Sequence, residues 1–206
     1  MNIKKITIFS FLSLLLLAGC GEKEKIDENI VARKKVEVDS KSEKKVETKK
    51  QSTPTFNFTS VQGKSITITA NKEGWKFDGL EDKVILLNFF GTWCPPCKAE
   101  IPHLNHIRSD LKKDFEILAV DIGLRSGGYN TQKELEAFVK KFNIAYPIVS
   151  GDEARKLFSV VSELNPSGSI PFMVLFNKKG QYVQYYIGMT PEEMLRNDIS
   201  TTIKMK

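Results

Sequence analysis

Histidine is almost missing from this chain. Only His103 and His106 occur in 206 residues. As metal ligands they would need partners near Cys94 and Cys97, but His103 is six residues past Cys97 and points elsewhere around a helix. Both read as helix-surface residues, and no metal is expected. Cysteine is scarce as well, with three residues, Cys20, Cys94 and Cys97. Two of them are near neighbours, and Cys20 is left as an odd thiol. No apolar run is long enough for a comfortable membrane span, since the longest, over 6–18, is broken by Thr7, Ser10 and Ser13. Internal repeats, a second domain, a phosphate-binding P-loop and a dinucleotide fingerprint are all lacking, so no cofactor is expected. The net charge of +6 owes much to a Lys-rich N-terminal third. Acidic residues alternate with the lysines there, which argues for a solvated linker and against nucleic-acid binding. What remains is ordinary: 41% hydrophobic residues and a length that suits one domain with appendages.

The chain is organised around Trp93-Cys94-Pro95-Pro96-Cys97. Ahead of it, residues 84–90 form an apolar run of strand length, rich in Val, Ile and Phe. Such a run predicts a strand buried on both faces. Behind it, Leu104, Ile107 and Leu111 recur at helical spacing and predict a helix over 95–112. Cys94 then stands at the helix N-terminus, where unpaired N–H groups and the helix dipole favour a thiolate. Cys97 follows one turn inward, a separation at which two sulfurs can close a small ring. Pro95 and Pro96 suit a first turn, whose N–H groups have no intrahelical partner. A bare pair of cysteines at this spacing is also half of a zinc site, and the strand, the Trp and the residues behind the pair favour redox chemistry over that reading.

The string from Asn88 to Pro102, with Trp93, Cys94, Cys97, Glu100 and Pro102 at its key positions, resembles the thioredoxin superfamily. More narrowly it resembles the TlpA/ResA group of extracytoplasmic thioredoxins. That resemblance implies an α/β thioredoxin fold with an N-terminal β-hairpin extension and a central αβ insertion. It implies a redox-active disulfide between Cys94 and Cys97, and an active-site glutamate at Glu100 that exchanges protons with Cys97. It also implies a cis-proline at Pro171, whose loop lies across from the disulfide and whose neighbour Ile170 offers backbone to an incoming peptide. Trp93 is expected to pack beside Cys94 and shape the substrate surface. Thioredoxin itself has a buried Asp where this chain has Asn88, an amide that cannot take a proton.

Residues 1–19 read as a targeting segment, with Lys4 and Lys5 ahead of the apolar core. Its end, Leu17-Ala18-Gly19-Cys20, resembles the bacterial lipoprotein processing box, which implies lipidation of Cys20 and accounts for the odd thiol. Residues 21–53 are dominated by Lys, Glu, Asp and Ser, without aromatics, and predict a disordered tether. A flexible tether of that length has a root-mean-square span of roughly 30 Å and a full reach of roughly 110 Å. The folded domain is expected over 54–206.

Within it, Phe56, Phe58, Ile66 and Ile68 alternate with polar residues around a turn at Gln62-Gly63-Lys64, a hairpin pattern, with Trp75, Phe77 and Leu80 packing beneath. A strand follows over 115–122. The next helix spans 131–142, with Thr131 as N-cap and Glu134 completing a capping box. Then come a short strand over 146–149 and a helix over 152–158. A strand over 172–176 turns at Lys178-Lys179-Gly180 into a strand over 182–187, and Thr190-Pro191 opens a closing helix.

The expected activity is thiol–disulfide exchange by a membrane-tethered, periplasmic protein, a monomer acting on protein thiols and disulfides. The resemblance implies reduction, for example of haem-site cysteines in apocytochrome c, with electrons from a membrane thiol carrier. The rivals are a disulfide-forming oxidase, separable only by reduction potential, and a thioredoxin-fold copper-binding module. The copper module typically uses Cys-x-x-x-Cys with a later His, whereas this chain has Cys-x-x-Cys and no His after His106.

Overall fold

The computed structural model describes residues 53–205. Cys20, the targeting segment and the charged tether lie outside the described residues.

Strand β4 (Val84–Phe90) is buried at all seven positions. It is the middle of a five-stranded sheet with β5 (Phe115–Asp121), β6 (Ile148–Val149), β7 (Phe172–Phe176) and β8 (Tyr182–Ile187), in the order β6-β5-β4-β7-β8. β5 runs parallel to β4 and to β6, β7 runs antiparallel to β4, and β8 runs antiparallel to β7. Layers on both faces explain why β4, β5 and β7 are buried at every position, Asn88, Glu116 and Asp121 included.

One face carries α1 (Pro95–Leu111), α2 (Gln132–Phe142) and α4 (Glu192–Ile203), whose Ile101, Leu104, Phe138 and Leu195 share a core with Leu86 and Phe90. The other face carries α3 (Asp152–Val160) and a separate antiparallel sheet of β1 (Thr55–Thr59), β2 (Ser65–Ala70) and β3 (Trp75–Asp78). Phe56, Phe58, Ile66 and Ile68 of that sheet point into the core, as their alternation required.

Several elements differ from expectation. The N-terminal extension is three-stranded: β3 is only four residues long, too short a run to announce itself, but Trp75 stacks on Phe176 at 5.0 Å between centroids. α4 begins at Glu192 with Pro191 as N-cap and without a side-chain cap, so Thr190 does not open it. α3 is longer than expected, and β6 keeps only two residues of the expected strand over 146–149. α1 passes through Pro102 unbroken, and the capping box at Thr131 and Glu134 is present.

The hairpin turn between β1 and β2 is fastened to the margin of the main sheet. Val61 N–H donates to Ile148 O at 2.8 Å. The Gln62 amide donates to Tyr146 O and accepts from Ile148 N–H, at 3.0 and 3.2 Å, so one side chain pairs with backbone as a strand would. The opposite margin, β8, exposes Tyr182, Tyr185 and Ile187.

Gly180 is where the two sheets nearly touch. Its φ is +71°, and an added Cβ would lie 1.6 Å from Trp75 O. Gly180→Ala is therefore expected to cost roughly 3 kcal/mol in a denaturant melt, since backbone must move. Gly127→Ala, where φ is +93° in open space, should cost only about 1 kcal/mol.

Candidate active site

Where β4 ends, the chain turns through Gly91 and Thr92 into α1. A Cβ on Gly91 would come within 2.8 Å of the Trp93 ring, so glycine lets the indole lie flat against the turn. Cys94 is the N-cap of α1, and its sulfur accepts the Cys97 N–H at 3.2 Å. Cys94 and Cys97 are joined by a disulfide, with Cα atoms 5.3 Å apart. Both are 2% exposed, so accessibility does not separate an outer from an inner sulfur as the helical spacing suggested. Their surroundings do. Cys94 Sγ lies 3.8 Å from Ile170 O, in the loop before β7. Cys97 instead borders a cavity of about 10 Å³, shared with Asn88, Phe90, Ile101, Tyr146 and Ile148 among others.

The Ile170–Pro171 peptide is cis. Gly188 N–H donates to Pro171 O at 2.8 Å, which ties the loop to the end of β8. The loop thus faces Cys94, with Trp93 on the same turn as that cysteine.

Glu100 is one turn past Cys97 on α1 and is 3% exposed. Among the described residues neither carboxylate oxygen has a hydrogen-bond partner, nor has Asn88 Oδ1. Burial pushes the Glu100 carboxyl up to about 8, with the neighbouring Asn88 amide opposing it. The acid is therefore neutral or close to half-ionised around pH 7–8, where it can both give and take a proton. The Tyr146 phenol is held in its protonated form, first by burial and then by the Glu100 charge.

The glycine-containing loop over 123–130, which follows β5 as the sequence indicates, has a role the sequence did not show: it holds the indole in place. Asp121, at the carboxyl end of β5, is fully buried. Its carboxylate accepts from Gly123 N–H, Asn130 Nδ2 and Ser150 Oγ at 3.2, 2.9 and 2.9 Å. Those bonds shape the segment from Gly123 to Asn130, and Trp93 Nε1 donates to Gly123 O at 2.9 Å. The signal in the sequence was an acid at a strand end followed by three glycines within six residues. Neither Tyr146 nor Gln62 carried a comparable signal, because their roles come from distant segments.

His103 and His106 lie on the surface of α1, but not idly. Their Nδ1 atoms each meet one oxygen of Glu192 at 2.7 Å, linking α1 to α4. His103 first, then Arg196, hold the Glu192 carboxyl down at about 2.

A family model described as thioredoxin-like matches residues 82–182. A thiol-disulfide oxidoreductase ResA of Bacillus cereus is 31% identical over 143 residues, covering 69% of this chain and 71% of that protein. ResA of Bacillus thuringiensis subsp. konkukian is 31% identical over 156 residues, covering 74% and 77%. Among solved structures, StoA from Bacillus subtilis superposes with a TM-score of 0.52 at 22% identity, over 71% of this chain and 97% of StoA. A thiol:disulfide interchange protein of Chlorobium tepidum TLS gives 0.55 at 20% identity, over 73% and 94%. These two support the fold.

Proposed function

Since the chain belongs to the ResA-like thiol–disulfide oxidoreductases of the thioredoxin-like family, we propose that it is a membrane-anchored, extracytoplasmic reductase of protein disulfides. Its dithiol is Cys94 and Cys97. The observation that carries this is the placement of Cys94, an N-capping sulfur that accepts a backbone N–H and faces the cis-Pro171 loop. Such a position lowers a thiol pKa and leaves a backbone edge beside it for a substrate chain.

In the reduced protein the Cys94 thiolate attacks one sulfur of a substrate disulfide. An S–S bond forms to Cys94 and the substrate's other sulfur leaves as thiolate. Cys97, its proton passed to Glu100, then attacks Cys94 and expels the second substrate thiolate. Two electrons have moved to the substrate, whose thiolates take up protons, and the Cys94–Cys97 disulfide remains. An external thiol donor returns the protein to the dithiol, and on this reading the donor is a thiol carrier in the membrane. Trp93 and Ile170 border the substrate. The substrate class includes proteins with vicinal cysteines, of which apocytochrome c haem sites are one.

The direction is tested by the potential of the Cys94–Cys97 couple. A value near the roughly −270 mV of a strong reductant is expected, and one near about −120 mV would make the protein an oxidant. Anchoring rests on the lipoprotein-like box ending at Cys20. Cys20→Ala is expected to move the protein out of the membrane fraction and to remove acyl mass from the mature chain. Retention of the variant, with no acyl mass on the wild type, would refute the anchor.

A further inference from the structure

Four arginines lie in the described part of the chain, and three are engaged. Arg108 pairs with Glu116, and Arg196 with Asp110 and Glu192. Arg155 donates to Gly128 O and lies over the Tyr129 ring. Arg125 differs. It is exposed, has no hydrogen bond or ion pair among the described residues, and sits with its guanidinium carbon 4.9 Å from the centroid of Trp93.

That position is built. The loop carrying Arg125 is closed by Gly127 N–H to Leu124 O at 3.0 Å and Leu124 N–H to Gly128 O at 3.1 Å, and is anchored below by buried Asp121. Trp93 does not need the arginine to hold it, because its indole N–H already binds Gly123 O and its ring lies against Gly91. The ring instead holds the guanidinium, which keeps all its donors for something else. The residue next to Trp93 is Cys94.

The geometry points to Arg125 as a specificity residue: it selects disulfide-bonded polypeptides that carry an acidic side chain beside the cysteine Cys94 attacks. This rests on the reductase reading above. A guanidinium stacked on an aromatic ring is pre-organised for a carboxylate, with two parallel donors in a fixed plane. It also favours approach of an acidic segment and disfavours a basic one, so the discrimination is electrostatic and weakens with salt.

The test uses the full-length reduced protein and two disulfide peptides identical except for Glu or Lys beside the cysteine. The readout is the ratio of their exchange rates, which cancels any change in the reactivity of Cys94 itself. For the wild type the acidic peptide should be favoured by about tenfold at low salt, falling toward parity at high salt. Arg125→Lys should keep part of that preference, Arg125→Ala should remove it, and Arg125→Glu should invert it. Equal wild-type rates, or a preference that Arg125→Glu leaves unchanged, would overturn this inference alone. A wild type that exchanges with neither peptide nor with neutral bis(hydroxyethyl) disulfide would overturn the reductase reading beneath it.

Discussion

Cys97→Ser turns this protein into a trap: covalent adducts with substrate proteins accumulate, and turnover falls to background. Cys94→Ser also abolishes turnover but captures nothing. The asymmetry follows from position, since both sulfurs are equally buried. Cys94 caps α1, receives the Cys97 N–H at 3.2 Å and lies against the Ile170 carbonyl, so its thiolate is stabilised by the helix start and faces the cis-proline loop. Cys97 looks into a small, mostly apolar cavity, which disfavours its thiolate until a base removes the proton. Without Cys97 the mixed disulfide on Cys94 has no internal attacker and survives. Non-reducing electrophoresis of extracts carrying each variant reads the result, and iodoacetamide should label Cys94 first at neutral pH. Adducts formed by Cys94→Ser in place of Cys97→Ser would reverse the assignment.

Glu100→Gln has the second large effect, and it is expected in two observables. The first is kinetic. A positioned base contributes about 10²-fold or more to a proton transfer, so the resolving step should slow by that order. The wild-type resolving rate should rise with an inflection near pH 8, where the Glu100 carboxyl ionises. The variant should lose that inflection and keep only the thiol's own. The second observable is stability. The carboxyl goes from an ordinary 4.5 to about 8 on folding. Between those values the native state holds a proton that the unfolded state has released. Wild-type stability should therefore fall as pH rises from about 4.5 to 8, by at most about 1.4 kcal/mol for each pH unit crossed. Glutamine carries no such charge, so the variant's profile should be flatter and its melt higher at alkaline pH. Circular dichroism establishes that both proteins are folded. Superimposable rate profiles would leave Glu100 as packing.

Local information was enough for the centre of the molecule. β4, α1 and the disulfide between them are written in contiguous residues, with a buried run, an N-capping cysteine and two prolines in the first turn. Helical spacing placed Glu100 one turn beyond Cys97, but not in the core. Its burial comes from Asn88 on β4 and from the segment around Tyr146, far apart in sequence. The third strand of the small sheet was illegible for a similar reason. Trp75 and Phe77 are a short motif whose meaning depends on Phe176, far along the chain. Arg125 gave no sign at all, because its place is set by a loop that Asp121 shapes from below.

The Gln62 clamp has a consequence for assembly. Together with Val61 N–H, its amide occupies the outward backbone groups of Ile148 on β6 and of Tyr146 just before it, so a foreign strand finds no docking site there. β8, at the other margin, carries no such plug among the described residues and displays Tyr182, Tyr185 and Ile187. A ribbon that could be extended at both rims would propagate into a filament. This one can be extended at one rim only, so any strand-to-strand contact between copies through the main sheet stops at a pair. Two residues of one hairpin turn, Val61 and Gln62, thereby set an upper bound on polymerisation along that axis.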